Sequence, residues 1–251
     1  MLRIESLSRS FGGVAALEAL DLAVAEGEVL GLIGPNGSGK TTLFNVITGV
    51  HAADSGRVLL RDEDITRSTP ARIVRHGIAR TFQNLRIYKR MSVHENVWVA
   101  QHSLPGVGPL ELLSNGSAGE RERRTEVERL LDAVGLVDRR DVLAGSLPLP
   151  DQRRLELARA LVRSPALLLL DEPAGGMTPA ETAEMAALIR DFALPGRTCI
   201  VIEHKLDLIS ELCQRLCVLN FGRKIADGEP GDVLQQADVL EAYLGRDAIH
   251  A

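Results

Sequence analysis

Gly34-Pro35-Asn36-Gly37-Ser38-Gly39-Lys40-Thr41 fits the pattern G-x-x-x-x-G-K-[ST] without a mismatch. These residue types in this order suit the binding of a nucleotide's phosphates. The glycines let backbone N–H groups wrap the phosphate oxygens. A helix opening just after the loop adds positive potential. Lys40 supplies a point charge to the β- and γ-phosphates, and the Thr41 hydroxyl is suited to Mg²⁺. Thr42 is expected to reach a further phosphate oxygen. A second constellation is LLLLDEP, in which an apolar run delivers Asp171 and Glu172 together. Neighbouring strand residues point to opposite sides, so the two acids can take separate tasks. Asp171 is expected in the magnesium shell, and Glu172 is expected to orient or deprotonate an attacking water. Gln83 in ARTFQN and His204 in CIVIEH also close apolar runs. Gln83 is expected at Mg²⁺ or water, and His204 at the γ-phosphate.

Such groups must sit at the carboxyl ends of buried strands, where open α/β sheets bind ligands. EVLGLI precedes the glycine loop and KTTLFNVITGV follows it as a helix. ALLLL and RTCIVIEH read as strands buried on both faces, as in a parallel sheet. LRIESLSRSF, VAALEALDLAV and the hairpin RVLLRDEDI give an antiparallel N-terminal part, with Glu26-Gly27 as a turn. PARIVRHGIA reads as a helix and RTFQ as a strand. HENVWVAQH and ERERRTEVERLLDAVGL read as helices, with a glycine-, proline- and serine-rich loop between them. RLCVLN-FGRK-IADGEP reads as a hairpin and DVLQQADVLEAYLG as one terminal helix. The expected fold class is α/β: a P-loop NTPase core with an N-terminal antiparallel β subdomain and an inserted helical subdomain. The chain is taken as a single domain over 1–251. Residues 1–90 and 164–251 are assigned to the core and 91–163 to the helical part.

The chain has 251 residues and a net charge of −5, so no general attraction to nucleic acid or anionic lipid follows. No apolar run approaches the roughly 20 residues of a membrane span. MLRIESLSRSF lacks the apolar centre of a signal peptide. Cys199, Cys213 and Cys217 lie in apolar sequence, as expected of buried thiols in a reducing, cytosolic compartment. Asn115-Gly116-Ser117 is accordingly read as a loop rather than a glycosylated site.

Taken together and in this order, the glycine loop, RTFQN, the helix QRRLELARAL, the DEP strand end and IEH resemble the ATP-binding subunit of ABC transporters. The resemblance spans essentially the whole chain. It implies ATP and Mg²⁺ as ligands and adenine stacking on Phe11 of SFGG. RTFQNLRIYKRMSVHENVWVAQH, IEHKLDLI and EAYLG are similar to the longer ATP-binding subunit of branched-chain amino acid transporters, a pattern shared with systems for urea and other small polar solutes. The implied partners are two membrane-spanning permease subunits, a second ATP-binding subunit and a solute-binding receptor, with no nucleic acid. The implied place is the cytoplasmic face of the cell membrane. Arg67, Arg72, Arg75, Arg80, Arg86, Lys89 and Arg90 would suit that face. Leu85, Ile87, Tyr88 and Met91 would receive the permeases' coupling helices. Two other functions stay open: a soluble ABC ATPase acting on nucleic acid or ribosomes, and a nucleotide-gated regulator that does not hydrolyse.

The family carries a signature of the type L-S-G-G-Q, whose N–H groups bind the γ-phosphate held by a partner subunit. Here Leu147-Pro148-Leu149-Pro150-Asp151 stands at that position. Two prolines remove two donors and a hydroxyl is gone. Asp151 is expected to cap its own helix and repel phosphate. Thr178 stands where the family commonly has an acid or asparagine. The expected assembly is therefore a heterodimer with a normal-signature partner.

Overall fold

The computed structural model describes residues 1–102 and 118–244. The loop expected between the two long helices, with Asn115-Gly116-Ser117, lies outside the described residues.

Two sheets divide the strands. β1 (Leu2–Phe11), β2 (Val14–Val24), β4 (Ser55–Leu60) and β5 (Glu63–Asp64) form an antiparallel sheet in the order β2-β1-β4-β5. β3 (Val29–Ile33), β6 (Ile78–Arg80), β7 (Leu167–Asp171), β8 (Thr198–Ile202), β9 (Arg215–Asn220) and β10 (Arg223–Gly228) form the second, ordered β10-β9-β3-β8-β7-β6. Its pairings are parallel except β9 with β10. The crossing order is what lets β3, β7 and β8 end side by side.

Alternation along the central strands decides which core each residue joins. Leu30, Leu32, Leu167, Leu169, Ile200 and Ile202 pack with the antiparallel sheet and helix α1 (Lys40–Ile47). Val29, Ile33, Leu168, Leu170, Cys199 and Val201 pack against the helices on the other face. Those helices include α3 (Val93–His102), α4 (Ala118–Ala133), α5 (Leu149–Leu161) and α6 (Pro179–Leu188). α2 (Pro70–Arg75) precedes β6, and α7 (Leu206–Leu212) follows β8. All three cysteines are buried and free. Burial pushes the Cys213 and Cys217 thiols up to about 12, so they are inert. Among the described residues no helix is long and apolar enough to cross a membrane.

Two sequence expectations are corrected. The strand lies at Ile78–Arg80, earlier than RTFQ, because α2 already stops at Arg75 and Gly77 turns the chain at φ +80°. The terminal helix is two pieces, α8 (Pro230–Val233) and α9 (Ala237–Leu244). Val233 and Val239 both enter the core. Six residues apart, they would face different sides of one continuous helix of about 3.6 residues per turn.

Leu168 is fully buried in β7. Leu168→Ala should cost roughly 2–5 kcal/mol in urea unfolding, as for other emptied core sites.

Candidate active site

The glycine loop leaves β3 at Ile33 and enters α1 at Lys40. Gly34 has φ +145°, and a Cβ there would stand 2.1 Å from the Leu219 carbonyl oxygen. Gly39 has φ +109°, and its Cβ would stand 2.5 Å from the Ala16 carbonyl oxygen. Only glycine fits either place. Lys40 is buried, and its Nζ donates to the carbonyls of Gly34 (2.7 Å) and Pro35 (2.9 Å). Burial pushes its pKa down, while Glu172 and Asp171 pull against that shift. The loop thus encloses a cation held by its own carbonyls. Asn36, Gly37 and Thr41 are exposed, Pro35 and Thr42 are half-buried, and Ser38 is buried. The Gly34 N–H donates to the Tyr243 hydroxyl of α9 at 2.7 Å. Burial, set against that bond, pushes the phenol's pKa up. Nothing in the sequence marks Tyr243, since its partner lies 209 residues away.

β7 delivers the two acids. Glu172 lies just past the strand with φ +48°, a left-handed backbone that non-glycine residues seldom adopt. Its carboxylate accepts from Gln83 Nε2 (3.0 Å) and bonds His204 Nε2 (2.8 Å). The structure therefore gathers Gln83, Glu172 and His204 around one carboxylate, with Gln83 three residues beyond its strand.

Asp171 is buried, and its Oδ2 accepts from Arg80 Nη2 at 2.7 Å. Arg80 also donates to Asn45 Oδ1 at 2.7 Å, and its guanidinium lies over the rings of Phe44 and Phe82. This overturns the placing of Arg80 on a solvated membrane face: its side chain is 4% exposed. The signal was available, because Arg80 is two residues from buried Ile78 and shares its face of β6. Asp171 Oδ1 is buried and has no hydrogen-bond partner. Ile87 is also corrected, since it is packed in the core rather than presented outward.

Phe11 ends β1 as an exposed residue, its ring edge-on to His51 at 5.2 Å and under the Arg9 guanidinium at 4.6 Å. It shares no described contact with the Lys40–Glu172 group.

The helix α5 starts at Leu149 with Pro148 as its N-cap residue and no side-chain cap. The expected capping by Asp151 is overturned: no side chain caps the helix, and the Asp151 carboxylate pairs with Arg139 instead. A Cβ on Gly176 would lie 3.0 Å from Leu149 Cδ2, so Leu149 closes on the turn after Glu172. Thr178 caps α6 in a reciprocal capping box with Glu181. Arg153, from the second turn of α5, donates to the carbonyls of Phe82 (3.1 Å), Gln83 (3.0 Å) and Gly175 (3.3 Å).

The Arg80–Asp171 pair is dry, so losing one partner strands the other. Arg80→Met should destabilise the fold by about 3–5 kcal/mol in urea. Arg80→Met combined with Asp171→Leu should recover most of that loss. Additive losses would show the two side chains act separately.

The ABC transporter family model matches residues 17–175. The chain is 38% identical over 249 residues to the high-affinity branched-chain amino acid transport ATP-binding protein LivG of Escherichia coli (strain K12), covering 98% of each. A nucleotide-free ATP-binding cassette from an ABC transporter superposes with a TM-score of 0.85 at 34% identity, over 98% of this chain and 99% of that one. The ADP conformation of MJ1267, an ATP-binding cassette of an ABC transporter, does so with 0.85 at 35% identity, over the same shares. With its glycine loop, paired acids and histidine set at the ends of neighbouring strands, the chain belongs to the ABC transporter family and is one of its ATP-hydrolysing subunits.

Proposed function

We propose that this subunit drives import of branched-chain amino acids, or a similar small polar solute, in a heterodimer with a second ATP-binding subunit whose signature is intact. The observation that carries the pairing is the contrast within one chain. Gln83, Glu172 and His204 converge, whereas the start of α5 offers prolines and an occupied carboxylate where a phosphate would need donors. The transported solute is carried over from the likeness to LivG.

In this reading the phosphates of ATP replace the Gly34 and Pro35 carbonyls as partners of Lys40. Asn36, Gly37, Ser38 and Gly39 supply the loop around them, and Thr41 and Thr42 supply hydroxyls. Phe11 takes the adenine on its open ring face. His204 turns from Glu172 to the γ-phosphate, which frees the glutamate. Water attacks the γ-phosphorus, its proton passes to Glu172, and the bond to the ADP oxygen breaks to leave ADP and inorganic phosphate. Mg²⁺ fits the donor set: Asp171 Oδ1 is buried without a partner, and the Thr41 hydroxyl is exposed at the helix start. When bound, the ion neutralises charge on the β- and γ-oxygens. Gln83 stands ready to orient the ion's water or the nucleophile.

A groove of about 410 Å³ lined by Val74, Phe82, Arg86, Tyr88, Arg159 and Arg163 supports this as the membrane side. Glu156 stiffens its floor by accepting from the Arg86 and Phe82 N–H groups, and burial pushes its pKa up. Two permease subunits, with a receptor supplying solute, would seat coupling helices in such grooves at the cytoplasmic face.

Two outcomes are expected. In the reconstituted transporter, Glu172→Gln should abolish nearly all ATPase activity, while the matching change in the partner should remove only a minor part. Equal losses would sink the asymmetry. Separately, Pro148→Ser, Leu149→Gly, Pro150→Gly and Asp151→Gln together should let the isolated chain, carrying Glu172→Gln, self-associate with ATP. Regaining two charge-assisted bonds per site at roughly 1.5–3 kcal/mol each should tighten that dimer by at least about 100-fold in sedimentation.

A further inference from the structure

Three successive residues leave β8, and each does something different. His204 bonds Glu172. Its neighbours on either side both reach the same residue, Ala174, two positions beyond Glu172. Glu203 is 2% exposed, and its Oε1 accepts from the Ala174 N–H at 3.0 Å while its Oε2 accepts from the His204 N–H at 3.0 Å. Lys205 donates from Nζ to the carbonyls of Ala174 (3.2 Å) and Met177 (3.1 Å) and to Thr182 Oγ1 (2.6 Å). An ammonium has three donors, and here all three are committed. Thr182 Oγ1 in turn donates to the Thr178 carbonyl at 2.8 Å. One side chain thus holds the turn Ala174–Thr178 at its first residue, its fourth and, through Thr182, its fifth.

We propose that Lys205 is a positioning residue that makes the Ala174–Thr178 turn follow the backbone of His204. Ala174 is gripped at its N–H by Glu203 and at its carbonyl by Lys205, so a shift of the 203–205 segment moves both peptide units that flank Ala174. The opposite side of the turn is held by Arg153 at the Gly175 carbonyl. The turn therefore sits between the histidine segment and α5, and Lys205 sets which of the two it follows. A methionine at 205 keeps the packing but has no donor for the carbonyls. A lysine is suited to this place because its three donors make charge-assisted bonds, which are stronger than neutral ones. The proposal rests on His204 facing the γ-phosphate.

The test is hydrogen exchange on the full chain with Mg²⁺ and either ADP or a non-hydrolysable ATP analogue, read at residues 37–42 and 174–178. In the unaltered protein the analogue should slow exchange in the turn at least about fivefold relative to ADP, a change in local opening. Lys205→Met should keep the protection of 37–42 and erase the analogue-to-ADP difference in the turn. Lys205→Arg should restore at least half of it. His204→Ala should also erase it. If Lys205→Met responds like the unaltered protein, the proposal is overturned while the phosphate reading stands. If Lys205→Met loses protection of 37–42 as well, the residue is merely structural and the proposal is overturned. A turn response that survives His204→Ala shows that the signal does not start at the histidine, which overturns both.

Discussion

The parallel sheet formed by β3, β7 and β8 is apolar on both faces, and this governs everything else. Its strands carry buried side chains at every position, so polar chemistry has no room along them. Only the carboxyl edge is left, and there the chain concentrates the glycine loop, Asp171, Glu172 and His204. Sheet order converts this local rule into a site. β8 lies next to β7, which lies next to β6, so three distant stretches of sequence end within reach of the Glu172 carboxylate.

The charges at that edge are all provided for before any ligand arrives. Lys40 rests on its own loop carbonyls, Glu172 on Gln83 and His204, and Asp171 on Arg80. An unpaired charge in so dry a place would cost several kcal/mol. In the proposed reading, a nucleotide exchanges partners with these charges. Within the last pair, Asp171 Oδ1 and Arg80 Nε are left buried without a partner.

Much of this could be read from residue order. Strands buried on both faces announce themselves as apolar runs such as ALLLL, and the glycine loop has a pattern that chance seldom produces in front of a helix. What the sequence hid was long-range. Arg80 looked like one more member of a basic surface, although period-two spacing from Ile78 already placed it inward. Asp151 looked like a helix cap, because a helix start favours such a residue. The helix begins two residues earlier, behind a proline with no N–H to offer, and the Asp151 carboxylate pairs with Arg139 instead. Lys205 carried no mark at all, because its partners are carbonyl oxygens that every residue possesses. The split near Gln235 was similarly invisible: two valines had to be buried, and one unbroken helix could not turn both inward.

The bond from the Gly34 N–H to the Tyr243 hydroxyl spans 209 residues. It joins the first glycine of the phosphate loop to the last described element. During synthesis at about 5–20 residues per second, the loop waits roughly ten to forty seconds before Tyr243 is even made. The nascent chain can fold its antiparallel sheet and α1 in that interval. The bond to Tyr243 can therefore form only after every strand of both sheets has been made.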